Sequence, residues 1–108
     1  MSKKAKIPEG LDSAGADYWR TVESGWLLDD ARRAVLLRAC KVLDLIEKAE
    51  AELQVTGLTQ LDRFGQRRQA PQVGVIRDLT SLFSRLVRSL DLAMPGEERP
   101  VSDRRGHP

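Results

Sequence analysis

The chain has 108 residues, of which 41% are apolar and 31% charged, and its formal charge is +2 with an isoelectric point near 9.0. This balance is typical of a single soluble domain, while an aromatic content of 5% disfavours an extended groove that stacks sugars or bases. The single cysteine, Cys40, excludes an intrachain disulfide and a cysteine metal cluster and indicates a reduced compartment. No apolar run approaches the roughly 20 residues that span a bilayer, so we expect a protein that is neither membrane-bound nor exported.

The N-terminal segment divides into an arm and a first helix. Residues 1–10 contain three lysines and no apolar period, which predicts a disordered basic arm. From Leu11 onward, apolar residues recur at three- and four-residue steps, which predicts a helix of about four turns that ends at Gly25. Asp12 or Ser13 is the candidate N-cap, because short polar side chains accept hydrogen bonds from the free amides of a first turn.

A long second helix is predicted after Asp29 and Asp30, which are suited to cap a helix start and to face the positive end of its dipole. Its apolar stripe continues to Leu53 in steps of three and four residues, and Gly57 is the predicted C-cap. The helix therefore has about 25 residues and a length of roughly 40 Å.

The second half of the chain predicts a linker, a third helix and a tail. Residues 57–70 lose the helical period and predict a loop or a short β-hairpin. Pro71 is suited to start the third helix, and Pro95 with Gly96 is the predicted end. Residues 97–108 predict a flexible polar tail.

The predicted fold is all-α, with a short N-terminal helix and a long antiparallel helical hairpin within a helical oligomerisation domain at residues 11–96. Full burial of Leu, Ile or Phe is worth about 1.5–3 kcal/mol, whereas ordering each residue costs about 1–2 kcal/mol. Three helices with so small a core are therefore only marginally stable alone. The apolar seams of the two long helices are also wider than one partner helix can cover, which predicts a homo-oligomer. The packing positions of the two seams are Val35, Ala39, Val42, Ile46, Ala49, Leu53, Ile76, Leu79, Phe83, Leu86 and Leu90.

Catalytic chemistry finds no support in the sequence. The only histidine, His107, lies next to the C-terminal residue, where no packing would orient it as a base. The chain has no glycine-rich phosphate loop followed by Lys and Ser or Thr, and it lacks the His and Cys ligands of a zinc site. We therefore expect a protein that is not an enzyme and that uses no metal or cofactor.

The C-terminal half of the second helix is acidic, although the helix dipole favours cations there. We interpret its carboxylates as a solvated or partner-facing surface rather than an acid–base pair, and we predict that arginines of a neighbouring subunit cover them. The carboxylates are Asp44, Glu47, Glu50 and Glu52, and the candidate arginines are Arg63, Arg67 and Arg68, or Arg85 and Arg88.

Two basic segments, the arm and the linker, are candidate phosphate contacts. In an oligomer, symmetry would repeat the few positive charges of each subunit, and DNA binding by the whole assembly would then release many counterions. The candidate DNA-binding residues are Lys3, Lys4, Lys6, Arg63, Arg67 and Arg68. A helix-turn-helix made of the first two helices is disfavoured because Asp29 and Asp30 would face phosphate, although Arg38 and neighbouring basic residues keep a minor docking role open for that end.

Several short sequence motifs indicate a family resemblance through their order and spacing, although no single motif is diagnostic. They are Ile7-Pro8-Glu9-Gly10-Leu11, the helix with Trp19, Leu27-Leu28-Asp29-Asp30, Ala39-Cys40, the linker with Gly57 and Gly65, Ala70-Pro71, Leu90-Asp91-Leu92-Ala93-Met94-Pro95 and Arg99. Over about residues 7–96, this order resembles the small terminase subunits of tailed bacteriophages, in particular the P27-type family. That family usually has Asn or His where this chain has Ala70, and glycine where it has Asp91.

The resemblance implies a non-enzymatic protein that forms a ring-like homo-oligomer and binds concatemeric double-stranded viral DNA in the host cytoplasm. It also implies regulation of the ATPase and nuclease of the large terminase subunit during genome packaging, with the long central helices forming the subunit contacts. Two other classes stay open. One is a small helical DNA-binding transcriptional regulator that acts as a dimer through its first two helices, and the other is a purely structural helical adaptor.

Overall fold

The structure, a computed structural model, describes residues 6–92 and contains three helices and one β-hairpin in that part of the chain. The elements are α1 (Ser13–Gly25), α2 (Asp30–Thr56), β1 (Thr59–Leu61), β2 (Arg67–Gln69) and α3 (Pro71–Leu90). The expectation of a mostly helical fold is confirmed, and the linker forms an antiparallel β-hairpin. The predicted tail at 97–108 lies outside the described residues. None of the described helices is long and apolar enough to span a bilayer.

The predicted capping residues mark both ends of α2 and the start of α3. Asp29 accepts a hydrogen bond from the backbone amide of Arg32 at 2.8 Å. Gly57 has φ = +83°, a conformation that favours glycine, and its amide donates to the Leu53 carbonyl at 2.7 Å. Pro71 begins α3, because the first position of a helix needs no amide donor.

The end of α3 differs from the prediction. We expected the helix to continue to Pro95 and Gly96, but it ends at Leu90, and Asp91 has the left-handed conformation with φ = +53°. A left-handed residue ends a helix without any breaker in the sequence. The prediction was wrong because proline and glycine are visible as breakers, whereas an aspartate that adopts this conformation is not.

α2 and α3 pack side by side in opposite directions. The side chain of Gln72, near the start of α3, donates to Glu52, near the end of α2, at 3.4 Å. At the other end of the pair, Leu90 near the end of α3 belongs to the same buried cluster as Leu36 and Cys40 in the first half of α2. The β-hairpin joins the two helices at the end where α2 stops.

The apolar core lies at the opposite end of this pair, where α1 packs against it. We call this region, which comprises α1, the first half of α2 and the last turns of α3, the braced end. Trp19 is 3% exposed there, and Trp26 is partly buried against the same cluster. The buried members of the cluster are Trp19, Val22, Leu28, Leu36, Cys40 and Leu90.

Polar contacts at both ends of α1 hold it on α2. The buried carboxylate of Asp44 accepts hydrogen bonds from the backbone amides of Asp12 at 2.8 Å and Gly15 at 2.6 Å. It therefore caps α1 from another helix, while the Asp12 side chain makes no capping bond. Farther along α1, Oε2 of the buried Glu23 lies 2.7 Å from Nε of Arg33.

The predicted packing positions are covered to different degrees on the two long helices. Those that are buried are Ala39, Val42, Ile46, Ala49 and Leu90, and those that are partly buried are Val35, Leu53, Ile76, Leu79, Phe83 and Leu86. The Cα radius of gyration is 18.3 Å, against about 13 Å for a compact domain of similar length. The molecule is thus elongated, and α3 leaves part of its apolar stripe accessible.

Candidate nucleic-acid interface at the β-hairpin

The β-hairpin turns one face to solvent. Its register pairs Thr59 with Gln69 and Leu61 with Arg67. Because side chains alternate along a strand, these four residues share one face, and all four are exposed. We call this the outer face of the hairpin. Arg68 lies on the opposite face.

Asp62 organises the turn between the two strands. Its Oδ1 accepts hydrogen bonds from the backbone amides of Phe64 at 2.8 Å and Gln66 at 2.9 Å. Its own amide donates to the Gln66 carbonyl at 2.8 Å, and its carbonyl accepts from the Gly65 amide at 2.9 Å. Gly65 has φ = +80°, which glycine adopts without steric cost. The turn is therefore held by several hydrogen bonds that converge on one residue.

The charge of Arg68 is balanced inside the hairpin. Its Nε lies 2.9 Å from Oδ2 of Asp62. This hydrogen bond, together with those from the backbone amides of Gln66 and Phe64, lowers the pKa of the Asp62 carboxyl below its ordinary value of 3.8. A phosphate that bound Arg68 would have to compete with Asp62, so Arg68 is the weakest of the three predicted arginine contacts.

Arg63 and Arg67 carry the remaining positive charge of the hairpin. The Arg63 guanidinium lies 5.2 Å from the centre of the Phe64 ring, within the range of a cation–π contact. On the outer face, Nη1 of Arg67 donates to Oγ1 of Thr59 at 3.0 Å. Within residues 6–92, neither guanidinium forms a salt bridge with a carboxylate. Both are therefore suited to bind an anion from outside.

Large apolar side chains are exposed around these arginines. We call the last turns of α2, the β-hairpin and the first turns of α3 the hairpin end. Phe64 is 73% exposed at the tip of the turn. An open groove of about 700 Å³ lies between the end of α2 and the start of α3, lined by Leu53, Leu58 and Ile76 among others. The exposed apolar residues of the α2 terminus and hairpin are Val55, Leu58, Leu61 and Phe64.

The structure separates the two predicted basic segments where they join the helical body. Lys3 and Lys4 lie outside the described residues, and Lys6 is exposed in the segment before α1. That segment leads to Asp12, whose amide is bound to Asp44 on α2. Asp44 precedes the end of α2 by twelve residues, or about 18 Å of helix. The arm and the hairpin therefore join the body at different levels of α2.

The predicted acidic surface is smaller than expected. Glu47, Glu50 and Glu52 are exposed on α2, and Glu52 accepts the hydrogen bond from Gln72. Asp44 was wrongly assigned to this surface, because its carboxylate is turned inward onto the amides of α1. A buried carboxylate that receives two amide donors serves the fold rather than a partner.

Phe64 is the residue that sequence reasoning missed as a functional candidate. The linker sequence predicts a loop or a short hairpin without assigning a role to this residue. The signal was nevertheless present, because an aromatic residue between Arg63 and Gly65 lies at the turn itself.

Comparison with protein families, with curated proteins and with solved structures finds no match for this chain. Among the described residues, no group of three or more His, Cys, Asp or Glu side chains is arranged to hold a metal ion. The candidate site is therefore defined by its own geometry, an ordered turn with two accessible guanidinium groups and an exposed aromatic ring.

Proposed function

We propose that this protein is a small terminase subunit. It binds concatemeric double-stranded viral DNA in the host cytoplasm and regulates the ATPase and nuclease of the large terminase subunit, without itself being an enzyme. The observation that carries the proposal is the combination of a partly uncovered apolar seam on α3 with an arginine-bearing hairpin at one end of the same helical pair.

Self-association is supported by the incomplete cover of α3. Ile76, Leu79, Phe83 and Leu86 are only partly buried in the single chain, although they form a regular stripe. Apolar area that leaves water on association is worth about 25 cal/mol per Å², so a second copy that covered this stripe would gain stability. In the proposed assembly, a ring of copies repeats this contact with one rotation until it closes.

DNA binding is supported by the hairpin. Arg63 and Arg67 have no carboxylate partner among the described residues, and they lie on the turn and on the following strand of an ordered hairpin. In a ring, each copy adds these two charges, and the release of counterions from DNA grows with the number of phosphates neutralised. Weak sites on single subunits then combine into salt-sensitive binding by the whole assembly.

The backbone at Asp91 adds support for the family resemblance. In the small terminase subunits this position is usually glycine, and in this chain Asp91 has φ = +53°. Left-handed backbone is the conformation in which glycine is favoured over other residues. Asp91 thus has the backbone conformation that would explain why the family usually has glycine at this position.

The rival class, a dimeric regulator that reads DNA through α1 and α2, is less well supported. Such a protein would need free cations at the start of α2. Arg33, one of those available, is instead held by the buried Glu23 in the contact between α1 and α2. Arg38 is exposed nearby and remains the residue through which the regulator class can be tested.

The experiment measures the mass of the assembly and the salt dependence of its DNA binding. Native mass spectrometry gives the subunit number, and fluorescence anisotropy on viral DNA between about 50 and 200 mM salt gives the phosphate count from the slope of log affinity against log salt. We expect a ring of many subunits, weak binding with a steep slope, and stimulation of the ATPase of a large terminase subunit encoded beside this protein.

A matched pair of variants separates the classes. Arg67→Gln should lower affinity and reduce the salt slope by about 0.9 for each engaged subunit, while Arg38→Gln should change neither. A dimer with tight, site-specific binding that depends on Arg38 would favour the regulator. No binding even at low salt would favour the structural adaptor.

A further inference from the structure

We propose that the tip of the β-hairpin enters the minor groove of duplex DNA and that Phe64 acts there as a wedge between two base pairs. The inference rests on the proposed function, because it assigns a mode of binding to the same surface. In this mode the Phe64 ring partly unstacks one base step and bends the duplex, while Arg63 and Arg67 bind the phosphates on either side.

The first argument is that Phe64 is exposed and held in place. Its ring is 73% exposed, so burial in the core does not account for its position. Its backbone amide is bound to Asp62 Oδ1 at 2.8 Å, within a turn that also fixes Gln66 and Gly65. An apolar side chain on an ordered tip loses little backbone entropy on insertion, in contrast to one on a loose loop.

The second argument is charge. Arg63 lies over the Phe64 ring at 5.2 Å, and Arg67 follows on the outer face, while the one hairpin carboxylate, Asp62, is engaged by Arg68. The ring therefore has one cation at its face and a second on the adjoining strand, and neither forms a carboxylate salt bridge among the described residues. An exposed apolar ring beside accessible guanidinium groups matches a polyanion with an apolar interior, and stacked base pairs flanked by phosphates have that composition.

The third argument is the choice of groove. Proteins that bind the minor groove frequently insert an apolar side chain such as phenylalanine between base steps, whereas the major groove is read mainly by hydrogen bonds to base edges. An exposed phenylalanine beside an arginine therefore fits insertion from the minor groove better than readout in the major groove. Proteins that insert an apolar wedge from the minor groove kink the duplex by about 20–90° toward the major groove.

The experiment uses the full-length chain and a 30-base-pair duplex that has an A·T-rich centre, dyes at both ends and 2-aminopurine at the centre. Anisotropy reports binding, energy transfer between the ends reports bending, and 2-aminopurine fluorescence reports unstacking. We expect wild-type protein to raise both energy transfer and 2-aminopurine fluorescence. Phe64→Ala should abolish both signals and weaken binding about 10-fold at constant salt, with an unchanged salt slope.

Four further variants control for the shape of the side chain, its position and the order of the turn. Phe64→Leu should keep much of the bending, because leucine is also an effective wedge. Leu58→Ala, another exposed apolar residue of the hairpin end, should leave bending unchanged. Asp62→Asn keeps an oxygen that can accept from the Phe64 and Gln66 amides and should preserve bending, whereas Asp62→Ala removes it and should reduce bending.

The outcomes separate this inference from the proposed function. If wild-type protein fails to bind DNA at low salt, both fail together. If binding persists and depends on Arg67, but the duplex stays straight or Phe64→Ala bends it as wild type does, the wedge alone is wrong. If Phe64→Ala changes the subunit number and leaves bending intact, the ring belongs to a contact between copies, and the wedge is again overturned.

Discussion

The two ends of the α2–α3 pair differ in how far their apolar side chains are buried. At the braced end, a third helix covers the pair, and Leu36, Cys40 and Leu90 are fully buried. At the hairpin end only two short strands connect the helices, and Leu61 and Phe64 are more than half exposed. Two helices alone cannot enclose each other, so burial requires another layer. The fold is therefore stabilised at the braced end, whereas the apolar side chains of the hairpin end remain accessible for contacts.

Core truncation should separate the two ends most strongly. Leu36→Ala removes a fully buried side chain from the braced end and should lower the free energy of unfolding by about 2–5 kcal/mol. Leu61→Ala removes a side chain that is 66% exposed and should change it by less than about 0.5 kcal/mol. Urea titration of both variants measures the difference. Equal losses would mean that the hairpin end is part of the same core.

The contact between α1 and α2 should be nearly as sensitive. A Cβ at Gly15 would lie 2.5 Å from Asp44 Oδ2 and 2.7 Å from the backbone oxygen of Cys40. Gly15→Ala should therefore cost about 1–3 kcal/mol and shift the Trp19 fluorescence toward that of an exposed indole. Gly25→Ala is the matched control, because a Cβ there meets no atom within 4 Å. It should be neutral or stabilising, and a loss like that of Gly15→Ala would contradict the steric argument.

Alkaline pH should weaken the braced end by a smaller amount. Burial and then the charge of Asp44 raise the pKa of the Cys40 thiol from 9.0 to about 12. Between these values the unfolded chain loses the proton while the folded chain keeps it, so stability falls as pH rises. The loss between pH 8 and pH 10 should be about 1 kcal/mol in urea titrations. In Cys40→Ala this part of the pH dependence should be absent, and an identical dependence would rule out Cys40 as its source.

Acid should weaken the turn of the hairpin, with the smallest effect on the whole fold. The lowered pKa of Asp62 means that its contribution is present above pH 3.8 and is lost as pH falls through the folded value. As the Asp62 carboxyl is protonated, the protection factors of the Phe64 and Gln66 amides, meaning their exchange rates relative to an unfolded chain at the same pH, should fall. Hydrogen exchange followed by NMR between pH 5 and pH 2 measures this. Asp62→Ala should give low protection factors for both amides at every pH.

Much of the local structure was predictable from single residues. Asp29, Gly57 and Pro71 each act through an interaction within a few residues of themselves, and each lies at the helix boundary that was predicted. The periodic apolar positions of α2 were predicted for the same reason, since helical geometry alone places Ala39, Val42 and Ile46 on one face. The ring-like assembly stays a prediction.

The candidate site was predictable only in part. Composition and position singled out Arg63 and Arg67 of the linker, but the pairing of Arg68 with Asp62 depends on how the turn folds. The inward direction of Asp44 depends on where α1 lies, which no spacing within α2 reveals. Both are contacts between segments, which is why charge counting along the chain misassigned Asp44.

By itself, the sequence determined the number and type of the helices, the start and end of α2 and the absence of a helical period in the linker, because these depend on propensities and hydrogen bonds between near neighbours. The structure also showed two local conformations that the residue pattern does not reveal, the left-handed Asp91 that ends α3 at Leu90 and the Asp62 turn that carries the exposed Phe64. Only the tertiary structure decided that α1 covers one end of the helical pair and that the Asp44 carboxylate turns inward to cap it. These two features depend on contacts between residues far apart in sequence, which local propensities do not determine.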